Sequence, residues 1–250
     1  MGEQGQEEMF FFIADISGYT AYMIQNQMAM DHGTLVINAL IKTLVKTAEI
    51  PLEVSKLEGD AVFLFLPVSQ LPQEMKKDPS LLTARLIQLF EAFSTQVTQL
   101  QRSTACDCGA CSHISKLNLK VVGHYGKASI EMIGAFKELA GVDVILIHRL
   151  LKNQVKQKRY LLLTKAAAER LPIPAEGKSE MGVERDQDIG EIPVVIYYPP
   201  EQEVSAPKKE LTFLEKLKSH WELGLGAKLL KWGIMKRPVF RNFPSKEAGK

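Results

Sequence analysis

The chain has 250 residues, of which 46% are apolar and 24% charged, and its formal net charge is +2. This composition fits one globular domain with appendages and a sizeable core. It argues against a membrane-spanning protein, since no apolar run approaches the ~20 residues that a spanning helix needs. The acidic start of the chain lacks the basic flank of a signal peptide, so we expect a cytosolic protein.

The first predicted element is a strand within residues 9–20, whose apolar run indicates burial on both faces. Asp15 stands at the end of this strand, where a carboxylate must meet water, a cation or a metal because an unpaired buried charge is costly. Asp15 equally fits a cap for the helix that begins near residue 19. The next residues predict a tight turn whose backbone amides can face an anion, namely Ile16, Ser17, Gly18, Tyr19 and Thr20.

A second aspartate follows the next predicted helix, which covers residues 19–50 and ends before a proline. Residues 52–66 predict two strands joined at Glu58, Gly59 and Asp60. Two carboxylates at the ends of neighbouring strands suit two magnesium ions that bridge a triphosphate, because magnesium prefers one or two carboxylates together with phosphate oxygens. On this motif alone, Asp60 equally fits an ordinary hairpin turn.

The predicted helix over residues 81–101 leads into a segment that contains all three cysteines. Cys106, Cys108, Cys111 and His113 make a complete tetrahedral zinc set, and Gly109 lets the chain turn sharply around one ion. A cytosolic compartment and the odd number of cysteines argue against disulfides. We expect a structural zinc, since four protein ligands leave no open position for substrate. The alternative is a loop of reduced thiols without metal.

The pattern after residue 117 predicts a strand that ends at His124, a turn over residues 125–127, a returning strand over residues 128–133, and a helix over residues 142–153. Residues 160–200 complete the fold, with strands predicted at both ends of this range.

Three motifs in the chain resemble the catalytic domain of class III adenylate and guanylate cyclases, in the same order and with suitable spacings. They are FFIADISGYT, KLEGDAVFLF, and LKVVGHYGKASIEMIG followed by GVDVILIHRLL. The resemblance covers about residues 8–200. IHRLLKN combined with the cysteine-rich insert at residues 103–114 most resembles DUF2652, a cyclase-like family of unknown function. The resemblance implies an α/β fold of the α+β, ferredoxin-like kind, in which helices flank a mixed β-sheet.

The resemblance also implies roles for individual residues. Asp15 and Asp60 match the aspartates that hold two Mg²⁺ or Mn²⁺ ions. Lys56 and Glu138 match the residues that read the purine base, and Arg149 matches the arginine that stabilises the charge on the α-phosphate. In this family one protomer supplies the metals and the other supplies the base-reading residues and the arginine, so a homodimer is implied. Taken singly, Lys56, Glu138 and Arg149 also fit ordinary surface positions.

Two departures from the family pattern leave the function open. Ile145 stands where the family has the asparagine that orients the ribose, and no lysine occurs in residues 193–198, where the family keeps one for the triphosphate. Each lost donor typically costs ~3–4 kcal/mol of transition-state stabilisation. We therefore expect binding of a purine nucleoside triphosphate, either with cyclisation to a 3′,5′-cyclic nucleotide or in a catalytically degenerate module that senses nucleotide or acts as a scaffold.

A C-terminal helical tail is predicted over residues 205–250, and its charge differs from that of the body. Residues 206–250 hold eleven Lys or Arg against four Asp or Glu. This surplus of +7 leaves −5 for the rest of a chain whose total is +2. The amphipathic stretch over residues 210–243 suits either peripheral contact with an anionic membrane or packing on the body or a second protomer. No aromatic and basic sheet pattern accompanies the tail, so we expect no nucleic-acid partner.

Overall fold

The computed structural model describes residues 5–26, 29–48, 51–103, 108–133 and 136–200. The predicted tail and Cys106 lie outside these ranges. The described residues form eight strands and seven helices: β1 (Glu7–Ser17), α1 (Tyr19–Gln25), α2 (Met30–Ala48), β2 (Glu53–Glu58), β3 (Ala61–Pro67), α3 (Gln73–Lys77), α4 (Ser80–Ser103), α5 (Gly109–Ser112), β4 (Asn118–Ile133), β5 (Phe136–Ala140), α6 (Val142–Leu150), β6 (Tyr160–Thr164), α7 (Lys165–Ala168), β7 (Lys178–Asp186) and β8 (Gly190–Tyr198).

The strands form one mixed sheet in the order β2-β3-β1-β4-β6-β8-β7, and β5 pairs with the far half of β4. Only the β4–β6 pair is parallel among the described strands. β1 lies between β3 and β4 and is antiparallel to both. This register places Asp15 opposite Ala61 on β3 and opposite Lys120 on β4.

Helices cover both faces of the sheet, which is why β1 is apolar on both sides. Phe10 and Phe12 pack toward α2 and α4 on one face, whereas Phe11 and Ile13 pack toward α6 on the other. Burial of large side chains on two faces is the main stabilising contribution that this strand makes. The mixed sheet flanked by helices confirms the predicted fold class.

Two local predictions differ from the structure. The helix predicted over residues 19–50 is two helices, α1 and α2. The turn predicted at residues 125–127 is wrong, because β4 runs through it and Gly126 pairs with Met9 of β1. A Cβ atom at Gly126 would lie 2.3 Å from Cγ of Asp143, whose Oδ2 accepts a 2.6 Å hydrogen bond from the Lys127 amide. This glycine therefore serves close approach of a side chain rather than chain reversal.

The edge strand β7 was not predicted. Its sequence, KSEMGVERD, has mostly exposed positions and carries charges on both faces, so it lacks the apolar alternation that indicates a strand. None of the described helices has a stretch long and apolar enough to cross a membrane.

Candidate functional site

Asp15 and Asp60 line one cavity of about 570 Å³ at the end of β1. Asp60 directly precedes β3, and the Ile16 amide donates a 3.3 Å hydrogen bond to the Asp60 carbonyl, which ties the two strand ends together. Burial raises the pKa of the Asp60 carboxyl from 3.8 to about 6, and the nearby Asp15 carboxylate adds to this shift. Two adjacent carboxylates of this kind need a proton or a cation between them. Oxygen donors alone suit Mg²⁺ or Mn²⁺ better than softer metals.

The turn after β1 forms one wall of the same cavity, from Ile16 to Ala21. Gly18 makes this turn with φ of 91°, a left-handed conformation that glycine adopts without strain. The Gly18 carbonyl accepts a 2.9 Å hydrogen bond from the Tyr22 amide as α1 begins. The predicted turn residues therefore lie beside both predicted metal-binding carboxylates.

Four lysines line the cavity together with the two aspartates: Lys120, Lys152, Lys156 and Lys158. The Lys120 ammonium group lies 3.0 Å from Oδ2 of Asp15 and donates a 3.2 Å hydrogen bond to the Leu151 carbonyl. The other three follow α6 in the chain and have exposed side chains. This surplus of cationic groups favours a polyanionic ligand.

Sequence reasoning did not identify Lys120 as a site residue. Lys120 lies in a predicted strand, and it could have been identified if the pairing of this strand with β1 had been known, because the register sets Lys120 opposite Asp15. The strand β8 itself carries no lysine within residues 193–198, as the sequence shows.

The two residues predicted to read the purine base, Lys56 and Glu138, lie side by side. The Lys56 ammonium group is 3.2 Å from Oε2 of Glu138 and 3.5 Å from Oε1 of Glu58. His148 approaches the same cluster, with Nδ1 3.3 Å from the other Glu58 oxygen and its ring edge-on to Phe63. Burial lowers the pKa of His148, Lys56 lowers it further, and Glu58 opposes both effects.

Arg149 lies at a different place from the aspartates. Its guanidinium group is 3.3 Å from Asp188 in the β7–β8 turn, and both side chains are exposed. Ile145, one helical turn earlier on α6, is 55% exposed. The described residues that line the cavity do not include Arg149, Lys56 or Glu138. Within one chain, the predicted base-reading pair and Arg149 therefore lie outside the described lining of the cavity that contains the two aspartates.

The cysteine cluster takes a histidine that sequence reasoning missed. Cys108 and Cys111 lie with His32 of α2, and their ligand atoms are all within 4.8 Å of one another. A ring nitrogen of His113, the predicted ligand, instead lies 3.4 Å from the Asn26 side-chain oxygen. Because His32 precedes Cys108 by 76 residues, only the packing of α2 against α5 brings it near.

Residues 37–160 match the model of a family described as "Protein of unknown function (DUF2652)". The uncharacterized protein Rv2561/Rv2562 of Mycobacterium tuberculosis (strain ATCC 25618 / H37Rv) is 34% identical over 132 residues, which are 53% of this chain and 58% of that protein. The match thus spans little more than half the length of this relative.

Solved cyclase structures share the fold. The adenylyl cyclase CyaB from P. aeruginosa matches with a TM-score of 0.60 and 16% identity, over 80% of this chain and 98% of the other. The guanylyl cyclase Cya2 matches with a TM-score of 0.61 and 12% identity, over 82% of this chain and 98% of the other. These findings confirm the resemblance seen in the sequence: the chain carries the DUF2652 pattern over residues 37–160 on the fold of a class III nucleotidyl cyclase catalytic domain.

Proposed function

We propose that the protein binds a purine nucleoside triphosphate together with Mg²⁺ or Mn²⁺ in the cavity that contains Asp15 and Asp60. The observation that carries this proposal is the adjacent pair of carboxylates in a cavity that four lysines also line. Carboxylates attract divalent cations, and lysines attract phosphate oxygens. A triphosphate with bound cations is a ligand that satisfies both sets of charges.

The residues that line the cavity bind different parts of this ligand. Asp15 and Asp60 hold the cations, which neutralise phosphate charge and lower the pKa of the attacking hydroxyl when they are bound. Lys120 neutralises part of the charge on Asp15, and because it also lines the cavity, a change of side-chain rotamer would let it bind a phosphate oxygen there. Residues 18–20 of the turn also line this cavity, and backbone amides of such a turn offer further donors to phosphate.

The base-reading group and Arg149 reach this ligand from a second copy of the chain. In support, Lys56, Glu138 and Arg149 do not belong to the described lining of the cavity. The face of α6 that carries Arg149 also exposes two aliphatic side chains, Val142 at 72% and Ile145 at 55%. Exposed apolar side chains grouped beside functional residues are typical of an interaction surface. A two-fold dimer would bury this face and produce two composite sites.

Cyclisation is the reaction that such a composite site would perform. The ribose 3′-hydroxyl would give its proton to solvent and attack the α-phosphorus in line, the bond from this phosphorus to the bridging oxygen would break, and pyrophosphate would leave. Arg149 would donate hydrogen bonds to the α-phosphate as negative charge develops on it.

A nucleotide-binding module without turnover is the second candidate, and Ile145 supports it. Its aliphatic side chain cannot donate the hydrogen bond that orients the ribose in the resembled family. Loss of one such donor costs ~3–4 kcal/mol, which corresponds to a rate loss of roughly 10²–10³. Such a module would bind the triphosphate and signal its presence through the dimer or the C-terminal residues.

The test is to measure nucleotide binding and turnover by the full-length protein with Mn²⁺ and either ATP or GTP. We expect binding that needs Mn²⁺ and that Asp15→Asn and Asp60→Asn each abolish. Glu191→Gln is the matched control, because it removes an exposed carboxylate outside the cavity lining whose partner, Arg185, has no role in the proposed site. Cyclic nucleotide and pyrophosphate in equal amounts would support cyclisation, and binding without them would support the module. Binding that neither aspartate variant weakens would refute both.

A further inference from the structure

We propose that His32, Cys108 and Cys111 bind one structural Zn²⁺ ion. This ion would link α2 to the segment from Cys108 to Lys116, which packs against the turn at residues 16–20. This site differs from the set that the local motif suggests, since it takes its imidazole from α2 rather than from His113. The proposal of this zinc site does not depend on whether the cavity binds a nucleotide.

The distances among the three ligand atoms match one face of a zinc tetrahedron. His32 Nδ1 lies 3.3 Å from Sγ of Cys108 and 3.9 Å from Sγ of Cys111, and the two sulfur atoms are 3.4 Å apart. Zinc bond lengths of ~2.3 Å to sulfur and ~2.0–2.1 Å to nitrogen at a tetrahedral angle require N···S edges of ~3.6 Å and S···S edges of ~3.8 Å. Small side-chain adjustments therefore suffice to place an ion within bonding distance of all three ligand atoms.

The donor types favour zinc over the cations expected in the cavity. Two thiolates and one imidazole are soft or borderline ligands, which select zinc and reject magnesium. Cys108 and Cys111 are not joined by a disulfide. His32 is 9% exposed and both cysteines are partly buried, so the cluster forms at a junction that is partly shielded from water. Three protein ligands leave one tetrahedral position for a further donor.

The local fold is already arranged around this junction. The Tyr22 hydroxyl of α1 donates a 3.0 Å hydrogen bond to the Ala110 carbonyl, between the two cysteines in sequence. A Cβ atom at Gly109 would lie 2.6 Å from the Asn26 side-chain oxygen, so a larger residue here would displace the buried Asn26 side chain. Helix α1 and the residue directly after it thus contact the residues between Cys108 and Cys111, and α2 packs against α5.

The same segment supports the turn that lines the cavity. A Cβ atom at Gly18 would lie 3.2 Å from the Lys116 carbonyl, which shows how closely the chain after α5 approaches the turn. Ala110 and Ile114 are fully buried in the core that includes Tyr22. An ion at His32, Cys108 and Cys111 would therefore restrain the position of α1 and of the turn before it.

The first experiment compares metal content in two matched variants. Full-length protein purified without added metal or chelator should contain about one zinc per chain, and His113→Asn should retain it. His32→Asn should bind zinc at least ~10-fold more weakly, because even loss of a group that merely orients a ligand costs about that much. His32→Cys should restore binding, since a thiolate replaces the imidazole.

Several outcomes would overturn the proposal. Zinc loss in His113→Asn with retention in His32→Asn would assign the site to the local motif instead. Protein without zinc whose mass shows a Cys108–Cys111 disulfide would identify a redox pair. X-ray absorption of the zinc-loaded wild type keeps the test independent of variant folding: it should show sulfur neighbours at ~2.3 Å and at least one imidazole nitrogen at ~2.0 Å. An all-sulfur or all-oxygen shell would contradict the assignment of His32.

The second experiment tests what the ion does. Amide hydrogen exchange in α1 and in residues 16–20 should become faster after a zinc-selective chelator is added and slow again when zinc is returned. Exchange in β8, which does not contact the cluster, serves as the internal control. Equal exchange in α1 with and without zinc would refute the linking role while leaving the binding site intact.

Discussion

Replacing Asp60 with asparagine should stabilise the metal-free protein while it abolishes the response to divalent cations. The structural reason is the raised pKa of the Asp60 carboxyl, from 3.8 to about 6, which burial and the Asp15 carboxylate cause. At neutral pH the folded protein must keep this carboxyl ionised beside another carboxylate. Asparagine removes the charge and keeps the size and shape of the side chain.

The shift sets both the size of the effect and its pH range. It corresponds to at most about 3 kcal/mol at 1.36 kcal/mol per pKa unit. Because Asp60 is only half-buried, solvent screening reduces this to about 1 kcal/mol, or roughly 2–4 °C in Tm for a domain of this size. The folded state binds the proton more tightly than the unfolded state, so the unfavourable contribution is absent below pH ~4 and grows to its full value as pH rises through 6. The difference in Tm between Asp60→Asn and wild type should therefore be near zero at pH ~4 and increase as pH rises through 6.

The assay is thermal unfolding of wild type, Asp60→Asn and Glu191→Gln in metal-free buffer between pH 4.5 and 8, followed by titration with MnCl₂. We expect Mn²⁺ to raise the Tm of wild type and of Glu191→Gln, and to leave the Tm of Asp60→Asn unchanged. The reasoning would be refuted by an Asp60→Asn variant that is no more stable than wild type at pH 7.5, or by one that responds equally to Mn²⁺.

Three further predictions concern single residues. Lys120→Met should destabilise the metal-free protein by about 1–2 kcal/mol, because it leaves a partly buried Asp15 unpaired, and Mn²⁺ should recover most of this loss in thermal unfolding. His124 is hydrogen-bonded to Thr164 and Asp143, and burial lowers its pKa. The stability that neutral His124 contributes is therefore lost as pH falls below ~6.5, where the unfolded chain takes up a proton first. The difference in Tm between wild type and His124→Gln should become smaller below this pH. Cys106→Ser should lower zinc content if this residue is the fourth ligand, as the sequence predicts, and unchanged zinc measured by elemental analysis would exclude it.

Local sequence patterns were enough to predict the burial of β1, the β2–β3 hairpin and the proximity of the two aspartates. The apolar run of β1 indicated burial on both faces, and the two core clusters contain its alternate residues. The hairpin of β2 and β3 followed from a short turn between two apolar segments. Asp15 and Asp60 were predicted as neighbours because each lies at a strand terminus, and in the structure these termini are at the same end of the β1–β3 pair.

The features that were missed depend on contacts between distant segments. Lys120 becomes a site residue only through the register of β4 against β1. His32 joins the cysteines only because α2 packs beside α5. The glycine at position 126 looked like a turn, yet it accommodates Asp143 of α6 against a continuous strand. In each case the deciding neighbour lies too far along the chain for periodicity or motif spacing to reveal it.

The central claim is that one protomer supplies Asp15 and Asp60 while its partner supplies Arg149 to the same nucleotide. Mixing Asp15→Asn chains with Arg149→Ala chains tests it directly, with Mn²⁺-dependent nucleotide turnover, or high-affinity binding where turnover is absent, as the readout. Each variant alone should be inactive. After chain exchange the mixture should recover about a quarter of wild-type function, because half of the dimers are mixed and each of these keeps one of its two sites. No recovery, in a mixture whose chains are shown to have exchanged, would contradict the composite site and leave Arg149 a surface partner of Asp188.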